Sequence, residues 1–113
     1  MPKTVSDIDT LKEYLSGVMK RAGHHANNVD EIAPAIAGSI IWRKDPDPIK
    51  VMEQNGDMKN VLWVKISGKK YAFTYDHLSQ TIQIKDGSTQ GALLHSVSNA
   101  TKLKDLKAIF VSL

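Results

Sequence analysis

The chain has 113 residues, close to the commonest domain size, so one hydrophobic core is expected and two would each be too small to stand alone. With 42% hydrophobic and 24% charged residues it lies far from compositions that stay disordered, and the lack of cysteine excludes disulfides, thiolate metal sites and thiol nucleophiles. A formal charge of +3 is modest beside that of a dedicated nucleic-acid binder. The polar start Met1-Pro2-Lys3-Thr4-Val5-Ser6-Asp7 and the absence of any membrane-length apolar run make a cytoplasmic location, without membrane contact, the expectation.

The first element is an amphipathic helix over about Asp7 to Ala22. Ser6 stands as its N-cap, and Ile8, Leu11, Leu15, Val18, Met19 and Ala22 recur at helical spacing. Gly23 can end it, with Lys20 and Arg21 suited to the negative end of the helix dipole. A second helix is signalled by Asn28 as N-cap and Glu31 three residues on. Its wide apolar stripe is Val29, Ile32, Ala33, Ile36, Ala37, Ile40 and Ile41. Pro34 inside that pattern predicts either a kink or a later start, because proline has no N–H for the carbonyl four residues back. Asp45-Pro46-Asp47-Pro48 cannot continue the helix.

Beyond that loop the apolar period falls to two, and turn residues separate short segments. Strands are expected near Ile49 to Glu53, Asn60 to Ile66, Lys70 to Tyr75 and Thr81 to Lys85, with a fifth around Ala92 to Val97. Thr101 then caps a last helix carrying Leu103, Leu106, Phe110 and Leu113 on one face. Helices grouped at the two ends of a run of strands imply a single α+β domain over residues 1–113. It is an antiparallel, four- to five-stranded meander with two N-terminal helices and one C-terminal helix packed on one face.

A two-residue Ser67-Gly68 loop would set Ile66 opposite Lys69, Val64 opposite Tyr71 and Leu62 opposite Phe73. Tyr71, Phe73 and Tyr75 would then join Leu62, Val64 and Ile66 in the core, with Ile82 and Ile84 beside them. Val61, Trp63 and Lys65 would face the other way with Lys70, Ala72, Thr74 and Lys85. A three-residue loop would reverse the aromatic row relative to Leu62. The expected register leaves Trp63, Val61, Lys65, Lys70 and Lys85 as candidates for binding a ligand or partner on the open sheet face.

Other constellations carry weaker chemistry. Lys69-Lys70-Tyr71-Ala72-Phe73-Thr74-Tyr75 looks like the aromatic strand of an RNA-recognition motif, but two helices precede the meander here and the favoured register buries the rings, so nucleic-acid binding is not expected. His24-His25 with Asn27, Asn28, Asp30 and Glu31 lacks the spacing of a metal site, so no metal and no cofactor are expected. Asp76-His77 is better explained by turn chemistry than by a triad, and His95 suits either a core position or a single outward polar one.

His24-His25-Ala26-Asn27-Asn28-Val29, the run from Ala37 to Asp45 that contains Gly38-Ser39-Ile40-Ile41-Trp42-Arg43-Lys44, and Lys59-Asn60-Val61-Leu62-Trp63-Val64 together resemble uncharacterised small proteins encoded by bacterial integron gene cassettes. The resemblance extends over most of the chain. It implies a bacterial cytoplasmic protein with an accessory role on a mobile genetic element, and it carries over no catalytic residue. The leading expectation is a non-enzymatic binding or interaction module, with a small molecule or a protein as partner. It would use the open sheet face or a groove between helix and sheet. A homodimer through half-apolar sheet or helix surface is expected as well. The alternatives are a small hydrolase-like enzyme, if the fold gathers His24, His25, Asp76, His77 and His95, or a weak nucleic-acid binder.

Overall fold

The structure, a computed structural model, describes residues 31–54, 57–76 and 78–113, together with residues 8, 9, 11, 12, 16 and 29; between 52 and 60 the description is of backbone alone. Two helices are delimited around an antiparallel sheet. They are α1 (Ala33–Arg43) and α2 (Leu103–Ser112), the second following strands β1 (Lys50–Gln54), β2 (Asp57–Ile66), β3 (Lys69–Asp76), β4 (Thr81–Asp86) and β5 (Leu93–Val97). The strands lie in sequence order, so the sheet is a five-stranded meander and the expected fifth strand is present. Of the first expected helix, residues 8, 9, 11, 12 and 16 are helical and Leu11 is buried in the core. Leu15, Val18, His24, His25, Asn28 and His77 lie outside the described residues. No helix among the described residues is long and apolar enough to cross a membrane.

Pro34 settles the start of α1. The helix begins at Ala33, one residue before the proline, where a missing N–H costs nothing because first-turn donors have no helical acceptor. The N-terminal N–H groups find a partner far away in sequence: Asn99 Oδ1 accepts from the backbone N–H of Glu31 at 2.9 Å and of Ile32 at 3.0 Å. Asn99, in the loop before α2, thus does for this helix end what a local cap does elsewhere. The C-terminal helix also differs from expectation. It starts at Leu103 with Lys102 in the N-cap position, while the hydroxyl of Thr101 accepts from the Ser98 N–H and closes the preceding turn. Starting one residue later places Leu103 in the first turn, outside the packed layer and 68% exposed, whereas Leu106 and Phe110 point into the core.

The Ser67-Gly68 hairpin is the two-residue loop that the register requires. Leu62 pairs with Phe73, Trp63 with Ala72, Val64 with Tyr71, Lys65 with Lys70 and Ile66 with Lys69. Ser67 and Gly68 both take positive φ, 54° and 79°, the geometry whose twist matches the flanking strands and which Gly68 adopts without strain. Tyr71, Phe73 and Tyr75 are consequently buried with Leu62, Val64, Ile66, Ile82 and Ile84, on the face covered by Ile36, Ile40, Leu106 and Phe110. The ring of Phe110 stacks on that of Phe73 at 5.9 Å between centroids and 18° between planes. A second glycine is required at position 91, where any Cβ would overlap the carbonyl of Asp86. At the far edge the pairing slips between Ile84 and Lys85, opposite His95 and Leu93, so Leu94 is the extra residue of a bulge that bends this edge strand.

Burial pushes the Tyr75 phenol above its ordinary value of 10, and the neighbouring Asp76 charge adds to the shift. The unfolded chain releases this proton first, so stability is intact below the ordinary value and falls as pH rises from there toward the folded-state value. Urea midpoints should hold up to the ordinary phenol value of 10 and drop as pH rises beyond it, and Tyr75→Phe should remove part of the drop. An identical drop in the variant would assign the effect to other groups.

Candidate functional site

The C-terminal end of α1 shapes the open face of the sheet. Lys44 leaves the helix in an extended conformation, and Asp45 then docks on the β2–β3 turn. Its N–H donates to the Lys65 carbonyl at 2.8 Å, and its carboxylate accepts from the Ser67 N–H at 3.1 Å and the Gly68 N–H at 2.7 Å. The left-handed turn points both N–H groups the same way, and a single carboxylate satisfies them. Arg43 joins the same corner, donating through Nε to the Phe110 carbonyl at 3.0 Å and through Nη2 to the Ser67 hydroxyl at 3.2 Å. Residues 45–48 are therefore a strap pinned across the hairpin end of the sheet, and they bring Asp47 and Pro48 beside β2.

A recess of about 260 Å³ lies along that strap, lined by Asp47, Pro48, Lys50, Trp63, Val64, Lys65 and Lys70. Trp63 is its half-buried apolar wall. Lys50 faces it across the β1–β2 ladder and Ala72 across the β2–β3 ladder. Ala72 is fully buried although it belongs to the outer face, because its methyl group sits between the larger side chains of Trp63 and Lys85 on either side. The Lys70 ammonium stands 5.9 Å from the Trp63 ring centroid, a cation–π geometry, and Lys65 pairs with Asp47 at 3.4 Å.

Three of the five leading candidates, Trp63, Lys65 and Lys70, thus come together in one recess. Val61 and Lys85 share the face but stand outside it, and Lys85 donates to the Thr89 carbonyl at 3.0 Å. The sequence reading missed Lys50, Asp47 and Pro48. The ladder that places Lys50 beside Trp63 shifts register between Val51 and Glu53, and no local signal reports that bulge. It also missed a second, shallower groove of about 330 Å³ between the two helices, lined by Ala35, Ser39, Trp42, Leu103, Leu106 and Lys107. There Trp42 is 55% exposed, with the Arg43 guanidinium 5.8 Å from its ring.

The residues considered for catalysis do not converge where they are described. Asp76 closes β3 opposite Thr81, and its carboxylate accepts from the Ser79 N–H at 2.9 Å and the Ser79 hydroxyl at 2.6 Å, an Asx-type turn. His95 is opposite Ile84 and so belongs to the core side of the sheet, half-buried, while Asp76 alternates to the other side. Among the described residues no three histidine or acidic side chains gather in a way that could hold a metal ion.

A family model described as "Integron cassette protein VCH_CASS1 chain" matches residues 11–107, a span that includes every residue of the Trp63 recess. Among curated proteins, none matches the chain.

Proposed function

The chain belongs to this integron cassette protein family, and from that premise we propose that it is an accessory protein that works by binding, without catalysis, through the recess over Trp63 on the open face of its sheet. One observation carries the reading. The strap between α1 and β1 turns an otherwise flat sheet face into a concavity that combines an indole wall with three ammonium groups, the mixture of apolar surface and few polar groups by which small-ligand sites orient what they hold. Engagement of Asp76 by Ser79, with His95 on the core side, favours binding over the hydrolase reading. Burial of Tyr71, Phe73 and Tyr75 leaves Trp63 as the ring available on this part of the face, which disfavours a base-stacking platform. Of the surfaces considered for a homodimer, this sheet face is disfavoured, since a second copy would set Lys50, Lys65 and Lys70 against their own like charges.

Titration of the isotopically labelled chain with ring-bearing fragments of mixed charge, followed by backbone and indole NMR shifts, tests the location. Perturbations should centre on Lys50, Trp63, Lys65 and Lys70. Shifts centred on Trp42 and Leu103 instead would move the site to the groove between the helices.

A further inference from the structure

The charge of the Trp63 recess runs against sheet stability and so calls for another explanation. Lys65 and Lys70 stand directly opposite each other in the β2–β3 ladder, and like charges in facing positions weaken an antiparallel pair. Asp47 is spent on Lys65 at 3.4 Å, and Asp86 on Lys69 at 3.8 Å. Among the described residues neither carboxylate forms an ion pair with Lys50 or Lys70, the two lysines that flank the indole. Among the described residues the recess therefore holds three lysines against one aspartate, with Lys50 and the Trp63-stacked Lys70 placed to meet an anionic ligand.

Its shape narrows the ligand further. The ladder partner of Trp63 on β3, Ala72, contributes only a buried methyl group, so a flat group can approach the indole over a low floor beside the Lys70 ammonium. A volume of about 260 Å³ falls just under the range of about 300–1,000 Å³ typical of drug-sized ligands, which suits one or two fused rings. The geometry points to a small aromatic anion, its ring laid against Trp63 and its carboxylate, sulfonate or phosphate drawn between Lys50 and Lys70. This rests on the recess being the binding site, and it adds the chemical class of what binds.

Three probes titrated into the full-length labelled chain separate the two statements: 2-naphthoate, its uncharged counterpart 2-naphthamide, and the non-aromatic anion cyclohexanecarboxylate. Saturable shifts at Lys50, Trp63, Lys65 and Lys70 are expected with 2-naphthoate, and each of the other two should bind about tenfold or more weakly, the loss expected for one charge-assisted or stacking contact. Raising the salt concentration should weaken 2-naphthoate and leave 2-naphthamide unchanged. Lys70→Gln should weaken 2-naphthoate by about tenfold at an unchanged melting temperature, and Trp63→Leu should abolish the preference for naphthoate over cyclohexanecarboxylate. Equal affinity for naphthoate and naphthamide at the same residues would overturn the anion and leave the recess. Shifts confined to Trp42 and Leu103, or no saturable shift with any probe, would overturn both. Tighter binding of an oligothymidylate that displaces naphthoate would reassign the face to single-stranded nucleic acid, and a doubling of mass on concentration that excludes naphthoate would reassign it to a second copy of the chain.

Discussion

Phe110→Ala will lower the unfolding free energy by about 3–5 kcal/mol, a large share of the 5–15 kcal/mol that a domain of this size commonly has. The side chain has no solvent exposure, and its ring stacks on Phe73 at 5.9 Å. Truncation therefore removes both the burial of an aromatic ring and a ring–ring contact, and it opens a void between α2 and the centre of β3. Little can move in to fill it. Phe73 is locked between Leu62 and Ile84 in the ladder, while the α2 backbone at this position is held by the Arg43 guanidinium on the Phe110 carbonyl, a bond that the substitution leaves in place. Urea unfolding of both proteins, with the slopes compared to confirm the same two-state transition, reads the difference directly. Leu103→Ala on the same helix is the control: at 68% exposure it should change stability by about 0.5 kcal/mol or less. A Phe110→Ala loss under about 1 kcal/mol would mean that α2 does not pack as described.

What could be read in advance followed from short-range physics. The register of β2 against β3 was legible because a two-residue loop leaves one pairing, and that pairing put every aromatic side chain of β3 on the same face as Leu62, Val64 and Ile66. From this came the placement of Trp63, Lys65 and Lys70 on the opposite face, and so half of the recess. The rest depends on contacts between residues distant in sequence. Asn99 reaching Glu31 and Ile32, Asp45 reaching Ser67 and Gly68, and Arg43 reaching Phe110 each join segments separated by more than twenty residues, and no periodicity encodes them. The strap that forms the recess is one of these contacts. Asp45-Pro46-Asp47-Pro48 reads as a helix stop, which it is, but its course across the hairpin is set by the two turn N–H groups it finds there. The error at Leu103 has a similar origin. Its spacing to Leu106 and Phe110 is helical, yet Thr101 gave its hydroxyl to Ser98, the helix began later, and a residue in the first turn was left outside the packed layer.

Ile36→Ala is the second large effect expected, a loss of about 2–5 kcal/mol. Ile36 lies mid-way along the buried stripe of α1, between Ala33 and Ile40, and is 4% exposed. The substitution spares the backbone, since alanine is the best helix former and the Ile36 N–H keeps its bond to the Ile32 carbonyl at 3.0 Å. Helix propensity therefore offsets the loss by only about 0.5 kcal/mol, and the remainder reports burial and the cavity left behind. Its consequence reaches the recess, because α1 ends in the Lys44–Asp45 exit that positions the strap on the hairpin. If α1 loosens on the sheet, binding at Trp63 should weaken in the same variant even while the protein remains folded. Ile41→Ala, half-exposed on the same helix, separates burial from any general effect of shortening a side chain and should be close to neutral. Unfolding midpoints for the two variants that coincide would place Ile36 outside the core and detach α1 from the sheet.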